Sequence, residues 1–214
     1  MNAPEPQQTP RHFSMLRSFQ LADYFTLANA ACGTAAILLV MAHLLDPSPW
    51  RIWAGLAFLP VALFFDIVDG TVARWRNKQS VLGRELDSLA DIVSFGVAPA
   101  VVGFALGMRG ALDGLLLMYF VSCGIARLAR FNVTAEELSA GSATGKVKYF
   151  EGTPIPTSLS IVAVLAGCQF LGLVGESLPL GVLEVGGLRW HPASVMYAIS
   201  GSAMISKTLR IPKP

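Results

Sequence analysis

Charged residues are scarce in this chain: Asp, Glu, Lys and Arg together make up only 14% of its 214 residues. Soluble domains usually devote about a quarter of their residues to charge, so this deficit disfavours an ordinary water-soluble protein. Cysteine and histidine are also rare, with three of each. The histidines show no metal-ligand spacing, and Cys32, Cys123 and Cys168 fall in apolar stretches. This pattern favours packing positions over a disulfide framework or a histidine metal site.

Long apolar runs are what the sequence has instead: 53% of the residues are hydrophobic and the mean hydropathy is +0.55. A helix needs about 20 apolar residues to cross the hydrocarbon layer of a membrane. The candidate spans are residues 27–45, 52–75, 83–106, 111–131, 155–174 and 191–205. The stretch 178–188 is also apolar, but its prolines and glycines favour an irregular loop. The sequence therefore predicts an all-α integral membrane protein with six transmembrane helices.

The basic residues are divided unevenly between the two sides of such a six-span arrangement. Short loops rich in Lys and Arg stay on the cytoplasmic side, and only Arg51, Arg109 and Arg189 fall on the other side. We therefore expect both termini to be cytoplasmic, in the cytoplasmic membrane of a prokaryote. Residues 1–10 are expected to form a flexible leader and not a signal peptide. Residues 11–214 are expected to form a single membrane domain that starts with a short interfacial helix at 11–24.

Four aspartates lie near the facing ends of the second and third predicted spans: Asp66, Asp69, Asp87 and Asp91. Spacings of three and four residues place each pair on one helix face. Carboxylates inside spans are costly and by default mark a functional site. Four of them in a low-dielectric pocket must take up protons or bind a cation. Oxygen ligands favour Mg²⁺ or Mn²⁺, and magnesium often shares its ligands with substrate phosphates. The cluster therefore predicts metal-dependent phosphoryl-type chemistry.

Small and basic residues accompany the aspartates. Gly70, Ala73 and Gly83 allow a helix or a nucleotide to approach the backbone closely, while the guanidinium groups of Arg74 and Arg84 suit phosphate oxygens. Other interpretations remain open at this point. Arginines at helix ends also act as positive-inside anchors, and intramembrane carboxylates also occur in structural ion-pair networks and in ion or proton transporters.

The complete spacing is Asp66-x2-Asp69-Gly70-x2-Ala73-Arg74-x8-Gly83-x3-Asp87-x3-Asp91. It resembles the signature of the CDP-alcohol phosphotransferase family at every fixed position. Four further segments, 86–91, 94–100, 126–132 and 150–156, resemble the branch of this family whose acceptor is serine. The resemblance extends from about residue 24 through the fifth predicted span.

Membership of this family would imply a six-helix fold, usually a homodimer, with a polar cavity at the cytoplasmic side. It also implies roles for the signature residues. Asp66, Asp69 and Asp87 would hold divalent metal, as two ions, and Asp91 would lie near the metals and act as the base. The expected CDP-binding residues are Gly70, Ala73, Arg74 and Gly83, to which we add Arg84 for its position.

The expected reaction moves a phosphatidyl group from CDP-diacylglycerol to the hydroxyl of L-serine, giving phosphatidylserine and CMP. Serine also carries a carboxylate, for which Arg127 and Arg130 are candidates, although positive-inside anchoring explains arginines at this helix end equally well. Glycerol 3-phosphate, inositol and choline are the rival acceptors. Membrane lipid is the expected environment, and no nucleic-acid partner is expected.

Overall fold

The protein is mostly helical, and a computed structural model describes residues 19–75, 81–141, 149–206 and 210–212. The helices are α1 Leu21–Leu45, α2 Pro49–Trp75, α3 Val81–Asp91, α4 Ala98–Ala105, α5 Ala111–Gly141, α6 Leu159–Phe170 and α7 Val195–Ile205. A π-helical segment, Ile92–Val97, connects α3 to α4. Short 3₁₀ turns, Ile155–Ser158 and Pro192–Ser194, lead into α6 and α7, and another lies at Gly175–Ser177.

The described part of the chain also contains four short strands, so the prediction of an all-α protein holds only for its main architecture. The strands are β1 Tyr149–Glu151, β2 Leu183–Val185, β3 Leu188–Trp190 and β4 Arg210–Pro212. They form two antiparallel pairs, β1 with β4 and β2 with β3. The prediction of an irregular loop at 178–188 was wrong, because β2 and the start of β3 lie there. Gly186 and Gly187 have φ angles of +59° and +79°, and two successive positive φ angles are what a two-residue hairpin turn requires.

Within the described residues, four helices are long and apolar enough to cross a membrane, which makes this an integral membrane protein. They are Leu21–Leu45, Pro49–Trp75, Val81–Ala105 and Ala111–Val133, and Ile155–Phe170 is a shorter apolar helix. Large apolar side chains on their outer faces remain uncovered, including Phe64 and Met118. Such a surface would promote aggregation in water but suits a lipid environment. The first four predicted spans are therefore confirmed as apolar helices of spanning length.

Two helix boundaries differ from the prediction. α1 begins at Leu21 instead of residue 27, and the carboxylate of Asp23 accepts the N–H of Gln20 at 2.7 Å in its first turn. The end of the predicted interfacial helix therefore belongs to α1, while residues 1–18 lie outside the described part of the chain. α5 continues past residue 131 to Gly141, because Ala, Glu and Leu at 135–138 form helices well although the stretch is polar.

The helices pack around a core that extends along α1, α2 and the α3–α4 region. α1 contacts α2, α3, the π-helical segment and α4, and α5 contacts α7. Tyr197 of α7 is fully buried, and its hydroxyl donates to the carbonyl oxygen of Pro99 at 2.6 Å. Its ring meets that of Phe120 edge to face at 5.2 Å. α4, α5 and α7 are thereby joined at one buried aromatic contact.

The end of the bundle where α5 begins is held by a buried Asp113. Its carboxylate accepts the N–H groups of Gly110 and His191 at 3.0 and 2.8 Å and pairs with the His191 ring at 2.7 Å. This contact ties the start of α5 to the chain that enters α7. A cavity of about 570 Å³ lies at the same end, with Arg109, Glu176 and Arg189 in its wall.

Candidate metal centre and active site

Three of the predicted aspartates converge where α2 and α3 approach each other. Asp66 and Asp69 lie in the second half of α2 and Asp87 lies in α3. Each presents a carboxylate oxygen, and these oxygens all lie within 4.8 Å of one another. Asp69 is only 5% exposed, and the other two are half-buried. The spacing argument therefore placed these three side chains together correctly.

Asp91, the fourth aspartate, lies one helical turn beyond Asp87. It is buried, and its Oδ1 accepts a hydrogen bond from Asn29 Nδ2 at 3.2 Å. It is not among the three aspartates whose oxygens converge within the described residues. The π-helical segment starts at the next residue, and such segments often occur at functional sites. Asp91 therefore lies near the three converging carboxylates but outside their group, on the same helix face as Asp87.

Helix α1 supplies contacts to the cluster that the sequence reasoning missed. Thr26 Oγ1 donates to Asp69 Oδ2 at 2.8 Å, and Asn29 binds Asp91. Ser94 Oγ donates to the main-chain oxygen of Asn29 at 3.0 Å. A signal was present in the sequence, because Asp23, Thr26 and Asn29 recur every three residues in a mostly apolar helix. The first span was predicted to start at residue 27, so Asp23 and Thr26 were not recognised as part of the same helix as Asn29.

The residues at the cluster fit a divalent cation. Three carboxylates supply hard oxygen donors, which are the ligands that Mg²⁺ and Mn²⁺ prefer. Asp87 Oδ1 is buried and has no hydrogen-bond partner among the described residues. A buried acceptor left without a partner costs about 1–3 kcal/mol, and a cation shared by the three carboxylates would remove that cost together with their mutual repulsion.

The predicted CDP-binding residues lie on the same two helices as the converging aspartates. Around Gly70 there is open space, since a Cβ placed there would meet nothing within 4 Å. Arg74 is exposed in the last turn of α2, and Arg84 is half-buried in the first turns of α3. Ala73 and Gly83 are half-buried. In the sequence, the first three follow Asp69 in α2 and the last two precede Asp87 in α3. Residues 76–80, which connect the two helices, lie outside the described part of the chain.

Helix α5 brings the two predicted serine-pocket arginines toward the cluster. Arg127 is half-buried and within electrostatic range of Asp91. Its Nε is buried without a hydrogen-bond partner among the described residues, whereas Arg130 is half-buried and has a contact of its own. A buried guanidinium with an unused donor suits an anionic group.

Asn132, which the sequence reasoning did not single out, fixes α5 to α3. Its Oδ1 accepts from Ser88 Oγ and its Nδ2 donates to Glu85 Oε1, both at 3.2 Å. Since Ser88 directly follows Asp87, this contact joins α5 to α3 next to one of the converging aspartates.

The sequence of this chain is similar to those of known proteins. Residues 19–186 match the family described as CDP-alcohol phosphatidyltransferase. The chain belongs to this family. The family prediction made from the aspartate signature is therefore confirmed, and the cluster described above lies within the matched region.

Relatives within the CDP-alcohol phosphatidyltransferase family carry a consistent name. A CDP-diacylglycerol–serine O-phosphatidyltransferase of Saccharomyces cerevisiae is 47% identical over 204 residues, which cover 95% of this chain and 74% of the relative. One of Methanocaldococcus jannaschii is 29% identical over 94% of this chain and 89% of its own length. An archaetidylserine synthase of Methanothermobacter thermautotrophicus is 35% identical over 64% of this chain and 54% of its own length. These relatives agree with the expected resemblance to the serine-using branch.

Replacing any one of Asp66, Asp69 and Asp87 by Asn should weaken binding of Mn²⁺ by more than about tenfold, because an amide keeps the shape but removes the charge that holds the cation. Mn²⁺ binding to the purified protein is measured by electron paramagnetic resonance. Asp46→Asn is the matched control, since Asp46 is exposed at the other end of α1 and its carboxylate pairs with Arg51. Wild-type affinity in all three variants would contradict the metal site.

Proposed function

We propose that this protein transfers the phosphatidyl group of CDP-diacylglycerol to the hydroxyl of L-serine, giving phosphatidylserine and CMP. The convergence of Asp66, Asp69 and Asp87 inside an intact family signature carries this proposal. The names of the relatives support serine as the acceptor, above all the yeast relative that matches 95% of the chain.

The donor would bind at the cluster. We propose that Asp66, Asp69 and Asp87, with Asp91 nearby, hold Mg²⁺ or Mn²⁺, as two ions. When bound, such ions neutralise the pyrophosphate and the charge that develops on the departing CMP. The open space beside Gly70 supports an approach of the nucleotide to α2. Ala73 and Gly83 would line the same surface, while Arg74 and Arg84 would bind phosphate oxygens.

Asp91 would act as the general base. A serine hydroxyl is a weak nucleophile at neutral pH, so a carboxylate within hydrogen-bond reach must accept its proton. As the serine oxygen bonds to the β-phosphorus of the donor, Asp91 takes the proton and the bond from phosphorus to CMP breaks. The position of Asp91 one turn beyond Asp87 supports this role, because it lies outside the converging group and, among the described residues, the hydrogen bond that its carboxylate accepts from Asn29 engages Oδ1 alone.

Arg127 would bind the carboxylate of serine, with Arg130 close by on the same helix face. The Nε of Arg127, which is buried and has no hydrogen-bond partner among the described residues, supports this assignment. Such a site favours an anionic acceptor, so inositol and choline fit less well than serine. Glycerol 3-phosphate is also an anion and remains the rival that only an assay separates.

We further propose a six-span arrangement in which α6 and α7, with their leading 3₁₀ turns, complete the bundle. The pairing of β1 with β4 supports it, because the chain before α6 then lies beside the chain after α7. The contact of Asp113 with His191 likewise puts the starts of α5 and α7 at one end. Basic residues favour the cytoplasmic side for the aspartate end and for both termini. Residues 11–214 would form one domain with a polar cavity at that side, and two copies would form a homodimer.

The purified protein should release CMP from CDP-diacylglycerol in the presence of L-serine and Mg²⁺ or Mn²⁺, because serine alone among the four candidate acceptors matches both the arginine site and the named relatives. CMP release and the lipid product are measured with each acceptor in turn. Phosphatidylglycerophosphate as the main product would overturn the serine assignment and leave the transfer chemistry intact, whereas no CMP release with any acceptor would overturn both.

Arg127→Ala should raise the serine KM about 10- to 100-fold, since a hydrogen bond to a charged group contributes about 1.5–3 kcal/mol. Arg130→Ala should show a smaller effect in the same direction, and the KM for CDP-diacylglycerol should stay nearly constant in both variants. Steady-state kinetics with each substrate varied provides the measurement. Arg189→Ala is the matched control, because Arg189 is exposed at the other end of the bundle and pairs with Glu176. An unchanged serine KM in Arg127→Ala and Arg130→Ala would remove both residues from the acceptor site.

Asp91→Asn should lower turnover far more than donor binding, because an amide cannot accept the serine proton at neutral pH. Turnover is measured as CMP release and donor binding as the thermal stabilisation that CDP-diacylglycerol gives. If Asp91→Asn instead loses donor binding to the same extent as Asp66→Asn, Asp91 is a metal ligand and not the base.

A further inference from the structure

Two polar side chains of α1 each bind a different aspartate of the cluster. Thr26 Oγ1 donates to Asp69 Oδ2 at 2.8 Å, and Asn29 Nδ2 donates to Asp91 Oδ1 at 3.2 Å. Both side chains are buried, with 4% and 0% exposure. They lie three residues apart and so share one face of the helix. A single helix therefore contacts carboxylates on both α2 and α3.

The backbone of α1 is fastened beside Asp91 as well. Ser94, in the π-helical segment, donates to the main-chain oxygen of Asn29 at 3.0 Å. A Cβ on Gly33, one turn further along α1, would collide with Ser94. Glycine at this position therefore permits the close approach of the two helices, and the close approach brings the amide of Asn29 within reach of Asp91.

Each of the two hydrogen bonds engages one oxygen of its carboxylate, Oδ2 of Asp69 or Oδ1 of Asp91, and leaves the second oxygen outside that bond. A carboxylate that is held by one oxygen cannot rotate freely, which orients the other oxygen. Packing alone does not require these residue types, because valine and leucine would fill the same space without burying a polar group.

We propose that Thr26 and Asn29 are positioning residues: Thr26 orients Asp69 toward a bound divalent cation, and Asn29 orients Asp91 toward the acceptor hydroxyl. The role proposed for Asn29 rests on the proposed transfer reaction. The role proposed for Thr26 depends only on the convergence of the carboxylates. Partners that orient a metal ligand in this way typically contribute a factor of 10–100 in metal affinity, and misplacement of a reacting group by about 1 Å can cost about a hundredfold in rate.

The role proposed for Thr26 is tested by Mn²⁺ binding, measured by electron paramagnetic resonance without any substrate. Thr26→Val, which keeps the shape and removes the hydroxyl, should bind Mn²⁺ about 10- to 100-fold more weakly. Thr26→Ser keeps the hydroxyl and should restore most of the affinity. Thr34→Val is the matched control, because Thr34 is exposed on the same helix and donates to the carbonyl of Ala30 within its own helix. Equal affinity in Thr26→Val and Thr34→Val would overturn the role of Thr26.

The role proposed for Asn29 is tested by separating kcat from KM. Asn29→Leu should lower kcat about 10- to 100-fold, while the KM for CDP-diacylglycerol and the affinity for Mn²⁺ change less than about twofold. If Asn29→Leu does not give a monodisperse protein, Asn29→Ser, whose hydroxyl is too short to reach Asp91, should show the same loss. A wild-type kcat in either variant, or a parallel loss of Mn²⁺ affinity, would overturn the role of Asn29. Absence of CMP release by the wild-type protein would overturn the proposed reaction and this role together, and would leave Thr26 to be decided by the Mn²⁺ measurement.

Discussion

The repulsion between partly buried carboxylates is the constraint on which this end of the molecule depends. Asp66, Asp69 and Asp87 present oxygens within 4.8 Å of one another in a bundle of apolar helices long enough to span a membrane. Like charges at such distances repel strongly where water is excluded. The arrangement is stable only when a cation or protons compensate the charge. The close packing of these carboxylates is unfavourable without a counter-charge, and a bound cation would supply that charge.

The two ends of the bundle handle buried charge in different ways. At the far end Asp113 is buried, but two N–H groups and the His191 ring satisfy it completely within the protein. At the aspartate end the protein supplies only part of what the carboxylates need, since Asp87 Oδ1 has no partner among the described residues. Arg127 Nε is left in the same state. Satisfied buried charge serves the fold, whereas unsatisfied buried charge indicates where a ligand binds.

Local patterns in the sequence predicted the four long helices and the facing aspartates, because hydropathy and helical periodicity act over short distances. They did not predict Thr26 and Asn29 as partners of the cluster, since these contacts join residues 43 and 62 positions apart in the chain. The hairpin at 183–190 was missed for another reason: its two turn glycines have the composition of an irregular loop. The length of α5 was underestimated because hydropathy marks where a helix leaves the membrane and not where it ends.

The central claim is that the three converging aspartates form a divalent-metal site. Anomalous diffraction from crystals of the protein soaked in Mn²⁺ tests this claim directly, because it locates the metal without reference to activity. The account predicts a strong anomalous peak within about 2–2.6 Å of carboxylate oxygens of Asp66, Asp69 and Asp87. A fully soaked crystal with no peak at these oxygens, or with its only peak elsewhere in the bundle, would contradict it.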